Sequence, residues 1–444
     1  MNYQPQEGSH LECELVEVRG TLSRLAALLT EAAPLWTPRS FEWRELPWRA
    51  QFPHLAEMLW RLDDEELEAL DADQQQLLES LWPSLAQDLE TKALESQGIP
   101  VVTDASRLLS NIPVWDKALF NWRLTPYPEM KGELLPRQQE VHLAAGIKGR
   151  KWQQISRFAS LVAMEPCELP LLEWCAGKGH LGRLLTAATG REVLSLEWQA
   201  QLCVAGEEEA KRRGLKQHFV CADAFAASED VLQSHQHGVA LHACGELHLN
   251  LMRRAARAGT QRLSISPCCY HLIPSGDLEP ISQSAKALNF RLDRHGLQLP
   301  LNHSVIANAK ARADRMQEVS WRLGFDSLQR QLRGTDEYLP LPSVRQSQLS
   351  GSFEAFCRWG AEVKGLELPD ELPLEPFRLE GQQRRRLTAR IDVAAHLFRP
   401  VIERFLLLDR VAFLLESDYR VRLGAFCEQQ VTPRNALIQA VRRG

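Results

Sequence analysis

Three short clusters hold the side chains best suited to chemistry. The first is Glu173-Trp174-Cys175-Ala176-Gly177-Lys178-Gly179-His180. It follows the apolar run Leu169 to Leu172 and precedes a segment with Leu181, Leu184 and Leu185 on one helical face. That order implies strand, tight turn, helix, and glycines at 177 and 179 let backbone approach a ligand where a Cβ would collide. With Gly182 the loop also satisfies G-x-G-x-x-G, the pattern of dinucleotide sites. The second cluster is His242-Ala243-Cys244-Gly245 and the third Pro267-Cys268-Cys269-Tyr270-His271. Imidazoles titrating near neutral pH suit proton transfer, and thiols beside imidazoles suit soft metals.

Two carboxylates stand downstream at the ends of further apolar runs. Val193-Leu194-Ser195-Leu196 ends at Glu197, 24 residues after Glu173, and Phe219-Val220-Cys221-Ala222 ends at Asp223, followed by Ala224-Phe225. A carboxylate closing a second strand accepts from ribose hydroxyls, whether the ligand is a nicotinamide cofactor or S-adenosylmethionine. One closing the third can accept from an adenine amino group, with an apolar neighbour against the ring. A nicotinamide site accounts poorly for Glu173 and Asp223. The ordered set of three acids resembles a class I methyltransferase instead.

The elements that must carry these residues alternate. A fourth strand, Gly238 to Leu241, leads into the His242 cluster, a helix follows over Leu247 to Ala258, and a fifth strand, Arg262 to Ile265, leads into the cysteine pair. Strands alternating with helices of this length predict a parallel, doubly wound sheet, with ligands at the carboxyl ends of its strands. The turns after strands four and five are expected side by side. The sheet needs two closing strands, one of them antiparallel, and the candidates are Arg420 to Phe426 and Ala436 to Val441, preceded by one long helix from Leu387 to Glu416. Upstream, apolar spacing predicts a helical domain with a helix start at Asp63-Asp64-Glu65-Glu66 and with Trp36, Trp43, Trp48, Trp60 and Trp82 as core anchors. Trp122 to Met130, with prolines at 126 and 128, reads as a linker. The domains expected are 1–125, acidic and helical; 126–275, the first part of the catalytic core; 276–384, an insertion serving as lid or substrate platform; and 385–444, the closing helix and strands. Arg384-Arg385-Arg386 reads as a solvated helix start or a phosphate contact.

Composition sets the outer bounds. The chain has 444 residues, 44% hydrophobic and 25% charged, as in an ordinary soluble globular protein of two or three domains. No apolar run reaches the ~20 residues that span a bilayer, and the polar start predicts no signal peptide, so a cytoplasmic protein without membrane contact is expected. Ten scattered cysteines without C-x-x-C pairs fit reduced thiols. Net charge is −5, unevenly spread: residues 1–100 carry 19 acidic against 7 basic side chains, the remainder 38 against 45. The basic remainder leaves room for a nucleic-acid patch.

Glu173 to His180, Leu241 to Gly245 with Pro267 to Leu272, and the tail segments Phe405 to Arg410 and Val431-Thr432-Pro433-Arg434-Asn435 together resemble the methyltransferase-like protein 25 family, over roughly residues 126–444. The chain is also similar to the tRNA 2′-O-methyltransferases that carry a CHHC zinc finger, although that finger is absent here, and to the glutathione-transferase-C-terminal-domain-containing proteins. The resemblance implies an α/β, doubly wound, Rossmann-like class I methyltransferase sheet with an added N-terminal helical domain. It implies S-adenosylmethionine as cofactor, held by Glu173, Cys175, Gly177, Lys178, Gly179, Glu197, Trp198, Asp223, Ala224 and His242. The catalytic set is then His242, Cys244, Tyr270 and His271, with the two histidines flanking the acceptor and handling its proton. RNA, a tRNA or rRNA nucleotide, is the expected substrate. The alternatives are a basic protein such as a ribosomal protein, or a cofactor-binding scaffold without catalysis. N6-adenine methylation is not expected, because it uses an Asn/Asp-Pro-Pro-aromatic motif where this chain has His242-Ala243-Cys244-Gly245. Four of His242, Cys244, Cys268, Cys269 and His271 could surround zinc. Neighbouring cysteines on an extended backbone point apart, however, and no metal is assigned.

Overall fold

The computed structural model describes residues 11–96, 114–130, 132–274, 276–301 and 309–444. They divide into two compact units, one from residues 1–27, 122–301 and 401–444, the other from residues 28–121 and 302–400.

The first unit is built on an eight-stranded sheet. In chain order its strands are β1 (Glu12–Cys13), β2 (Leu171–Trp174), β3 (Val193–Glu197), β4 (Gln217–Cys221), β5 (His237–Cys244), β6 (Arg262–Cys268), β9 (Tyr419–Ala425) and β10 (Ala436–Arg442). Asp277–Leu278 and Leu292–Asp293, β7 and β8, form a separate two-stranded ribbon. The order across the main sheet is β1-β9-β10-β6-β5-β2-β3-β4. Strands β2 to β6 run parallel to one another, while β10 is antiparallel to both β6 and β9. This is the doubly wound sheet with a reversed closing strand that the alternating pattern predicts, and β1, antiparallel to β9, adds a second reversed strand at the edge.

Covering both faces of a parallel sheet requires apolar strands between helices with apolar stripes. All four residues of β2 are buried. The helix Gly149–Ala163 buries Ile155, Phe158, Ala159 and Val162, spaced as one helical face demands. With Leu181, Leu184 and Leu185 of the helix His180–Thr189, they enclose Leu171, Val193, Val239 and Leu437 from β2, β3, β5 and β10.

Two expectations are revised in this unit. Trp122 to Met130 is no free linker: Tyr127 donates its N–H to Ala425 O at 2.9 Å, Ala425 donates to Thr125 O at 2.9 Å, and the Tyr127 hydroxyl bonds Arg422 O at 3.0 Å. The segment is a strap along β9. The single long helix expected from Leu387 is two helices, Glu375–His396 and Arg399–Glu416. Pro400 explains the break, since a proline lacks the N–H that a helix interior needs but fits a first turn.

The second unit is helical. Asp63 caps the helix Asp64–Ala72 by accepting from Glu65 N and Glu66 N, while Glu66 accepts from Asp63 N. That reciprocal pair satisfies three of the orphan donors at a helix start. Trp36 and Trp48 are buried as expected, but Trp43 and Trp60 keep about two fifths of their surface exposed, and the Arg390 guanidinium lies 4.3 Å above the Trp60 ring. The three arginines at 384–386 lie inside the helix Glu375–His396 rather than at its start. Arg384 is buried against Asp326 at 2.7 Å and Arg385 pairs with Asp64 at 2.6 Å, so these two serve internal charges and not a phosphate.

Strand β10 sits inside the sheet, hydrogen-bonded on both edges, and carries the buried side chains Leu437, Ile438 and Ala440. A chain ending at residue 419 should therefore leave β6 with an open apolar edge. Loss of cooperative melting and precipitation on expression are the expected result. A soluble truncated chain with an unchanged melting temperature would contradict the role given to β10.

Candidate active site

The glycine loop is fixed by local backbone geometry. After β2 the chain turns through Cys175 at φ 59°, Gly177 at φ 57° and Gly179 at φ 64°, left-handed conformations that are cheap only for glycine. Ala176 N bonds Leu196 O and Gly179 N bonds Ala176 O, both at 2.9 Å. A Cβ on Gly179 would strike the Phe219 ring and come within 2.6 Å of the Gln217 amide. A Cβ on Gly177 would meet no heavy atom within 4 Å. Gly179 is thus required by the fold, and Gly177 opens onto free space at the carboxyl edge. Lys178 between them is exposed.

Glu197, at the end of β3, accepts from Gly177 N at 2.8 Å and from Gln199 N at 3.0 Å, clamping the loop to the sheet edge. Trp198 beside it is 70% exposed. Asp223, after β4, is exposed, its carboxylate accepting from Phe225 N at 2.9 Å; Ala224 is buried and Phe225 47% exposed. These groups converge. The Cys175 thiol is pushed up to about 12, first by burial and then by the negative fields of Glu197, Cys244 and Asp223. Two acceptors and two uncovered aromatic rings beside an open glycine loop are what an adenosine needs, so these residues fit S-adenosylmethionine.

Glu173 behaves differently. Its side chain turns inward, 3% exposed, and accepts from Ser195 Oγ at 2.6 Å and, more weakly, from Gln217 Nε2 at 3.4 Å. It lies under Gly182, where a Cβ would collide with it, so the third glycine of the G-x-G-x-x-G pattern lets the helix sit close over this acid. Its carboxylate therefore faces internal partners rather than the open loop. Burial pushes its carboxyl up to about 7, against the opposing hydrogen bonds and the Arg183 charge. Between about pH 4.5 and 7 the folded chain holds a proton that the unfolded chain has released. Stability is therefore highest below that window and falls as pH rises through it, by roughly 3 kcal/mol for a shift of this size. Glu173→Gln keeps the shape without the charge and should flatten this slope. Urea midpoints at pH 5 and pH 8 for both proteins test it, and parallel slopes would refute the assignment.

The two turns expected side by side are joined. Gly245 N donates to Cys268 O and Glu246 N to Leu272 O, both at 2.9 Å, and Gly245 has no room for a Cβ against Leu272 O. The pairing of β5 with β6 slips between Leu241 and Ala243, where His242 adopts φ 63°. The His242 Nε2 meets Gln154 Oε1 at 2.8 Å, and Gln154 directs its own Nε2 to Val431 O at 3.2 Å. With the amide so oriented, Nε2 of His242 carries the proton and donates, leaving Nδ1 as a buried acceptor without a partner. Burial, helped by the Arg434 and Lys151 charges, lowers this imidazole to about 4. It is therefore neutral at pH 7, and not the base titrating near neutrality that its residue type predicts.

The Cys244 and Cys268 sulfurs are 3.4 Å apart, and Cys269 takes φ 47°. The Cys269 thiol is lowered to about 5, chiefly by hydrogen bonding from Cys268. His271 Nδ1 is buried without a partner. Tyr270, expected in the catalytic set, is instead turned into the interior. It is 2% exposed, with the Arg410 guanidinium 5.5 Å above its ring and the His248 ring edge-on at 6.3 Å. Alternation along the chain explains this, because neighbours of residues that face the edge point away from it.

Three side chains at this edge escape a reading of strand ends alone: Lys151 and Gln154 on the helix Gly149–Ala163, and Arg434. Gln154 touches His242, while Lys151 and Arg434 impose their charge on it. The signal for Arg434 lay in the Val431 to Asn435 tail segment; an amphipathic helix offers none for Lys151 or Gln154.

Residues 150–276 match the family described as a methyltransferase domain. Among solved structures the chain is similar to the 23S rRNA methyltransferase ErmE, at 21% identity over 26% of this chain and 44% of that one, with a TM-score of 0.21. It is similar also to a SAM-dependent methyltransferase from Aquifex aeolicus, at 15% identity over 28% and 71% of the two chains, with a TM-score of 0.24. An rRNA methylase from Streptococcus thermophilus is matched at 14% identity over 27% and 72%, with a TM-score of 0.22. The chain thus spans less than half the length of ErmE. The matched segment contains the glycine loop, Glu197, Asp223, His242 and the cysteine pair. Over that segment the chain is similar to methyltransferase domains.

Proposed function

We propose that this chain methylates RNA, at a nucleotide of tRNA or rRNA. The observation that carries the reading is the charge around the open edge. Lys151 and Arg434 act on His242, Lys151 and Lys178 act on His180, and Arg434 acts on Cys269. Among the described residues, none of these three cations has a carboxylate within ion-pair distance. Cations gathered without internal counter-charges suit a polyanion, whose phosphates supply the missing charge. The resemblance to the methyltransferase-like protein 25 family and to tRNA 2′-O-methyltransferases points to the same substrate class.

S-adenosylmethionine, when bound, supplies an electrophilic methyl group. Gly177 gives backbone room for it, Glu197 and Asp223 offer acceptors to its hydroxyls and amine, and Trp198 and Phe225 offer ring faces. The His242 imidazole, fixed in orientation by the Gln154 bond and neutral at pH 7, would stand at the edge where an acceptor hydroxyl or amine approaches. Because this imidazole is a weak base, proton release to solvent follows methyl transfer rather than preceding it.

Whole-cell RNA and protein fractions, each incubated with the full chain and methyl-labelled cofactor, test the reading. Label in RNA supports it. Label confined to protein indicates a basic protein substrate, and label in neither indicates a cofactor-binding scaffold.

A further inference from the structure

We propose that Cys244, Cys268 and Cys269, with His271 as fourth ligand, form a zinc site at the carboxyl edge of the sheet. The three sulfurs all lie within 4.8 Å of one another, and the closest pair, Cys244 and Cys268, is 3.4 Å apart. Zinc–thiolate bonds of about 2.3 Å in tetrahedral geometry place sulfurs ~3.8 Å apart, so one ion fits among these three with small side-chain movements. Adjacent cysteines would ordinarily diverge. Here Cys269 leaves the extended conformation at φ 47°, and its sulfur swings to the same side as that of Cys268.

The backbone holding the sulfurs is rigid. Cys244 and Cys268 face each other in the β5–β6 register, Gly245 N bonds Cys268 O, and Leu272 N closes the turn onto Cys269 O, the last two at 2.9 Å. His271 lies in that same turn, but its ring nitrogens are not within 4.8 Å of all three sulfurs, so a side-chain rotation must bring it to the ion. Its Nδ1 is buried and has no hydrogen-bond partner among the described residues, an arrangement that costs stability unless something fills it. A Cys₃His set is a common structural zinc environment. On binding, those of the three sulfurs that still carry protons release them to solvent, and the resulting site carries one net negative charge, which Arg434, already acting on Cys269, offsets. Because Cys244 and Cys268 end the neighbouring strands β5 and β6, the ion would tie the two turns together.

The rival chemistry is a disulfide between Cys244 and Cys268, which would lose two hydrogens and exclude Cys269. Full-length protein purified under reducing conditions without chelator decides between them. One equivalent of zinc per chain by plasma mass spectrometry is expected. Cobalt exchanged into the metal-stripped protein should show thiolate charge-transfer absorption and intense visible d–d bands of a tetrahedral site. Cys244→Ser and Cys269→Ser should each lower retained metal roughly 10-fold or more, and His271→Ala should shift the d–d bands. Cys357→Ser, in the helical unit, should do neither. If the serine variants fail to fold, the wild-type cobalt spectrum still decides. Absence of metal after growth with added zinc, absence of thiolate–cobalt bands, or an intact mass two hydrogens short would each overturn the site.

Discussion

Gly177→Val is expected to abolish S-adenosylmethionine binding while leaving the protein folded. The two loop glycines share a left-handed backbone but differ in what surrounds them. At Gly177 no heavy atom lies within 4 Å of where a Cβ would project, so a side chain there meets free space in the unliganded protein. Its cost to folding is the conformational one, roughly 1–2 kcal/mol for a residue with a Cβ at positive φ. That free space is where the cofactor must lie if Glu197 and Asp223 are to reach it, and a valine would fill it. Affinity should fall at least ~100-fold, a loss of about 2.7 kcal/mol. Thermal melting reads both effects. The variant should melt cooperatively a few degrees below the wild type, and only the wild type should gain stability when the cofactor is added. Gly179→Ala serves as the contrast: its Cβ runs into Phe219 and Gln217, so folding itself should suffer. Undiminished cofactor stabilisation of Gly177→Val would mean that the ligand does not pass over this loop.

What the sequence makes legible differs from residue to residue. Glycine at 177 and 179 is legible because few side chains tolerate that backbone, and the apolar runs of β2 to β6 are legible because a covered parallel strand must be apolar throughout. Even the reversed strand β10 follows, since a sheet of this winding needs an element to close it. The acids are harder. Glu173 and Glu197 both end apolar strands, yet one turns under a helix to meet Ser195 while the other clamps Gly177. Which way a carboxylate turns depends on the space above it, here the absent side chain of Gly182, and that is a property of packing. The cysteine pair shows the same limit. Divergence of Cys268 and Cys269 follows from an extended backbone, and a single reversal of φ at Cys269 removes it. The arginines at 384–386 appear as a solvated run, whereas Arg384 is buried because Asp326, 58 residues away in the chain, is there to meet it.

Reversing the charge at two edge positions, Lys151→Glu with Arg434→Glu, should cut methyl transfer to RNA at least ~100-fold while cofactor affinity stays close to that of the wild type. Lys151 is exposed on its helix and Arg434 half-buried in the loop between β9 and β10. Neither has a carboxylate partner among the described residues, so neither substitution breaks an internal ion pair. Each reversal removes a favourable phosphate contact and introduces a repulsive one. The salt dependence separates this from a folding defect. If both cations meet phosphates, the plot of log affinity for RNA against log salt should become shallower by about 1.4 to 1.8, the slope expected for two contacts. Filter binding across a salt series, run beside calorimetric titration of the cofactor, supplies both numbers. RNA methylation and salt slope that survive the double reversal would place the substrate away from this edge. Loss of cofactor binding in step with RNA binding would instead assign Lys151 and Arg434 to the methyl donor.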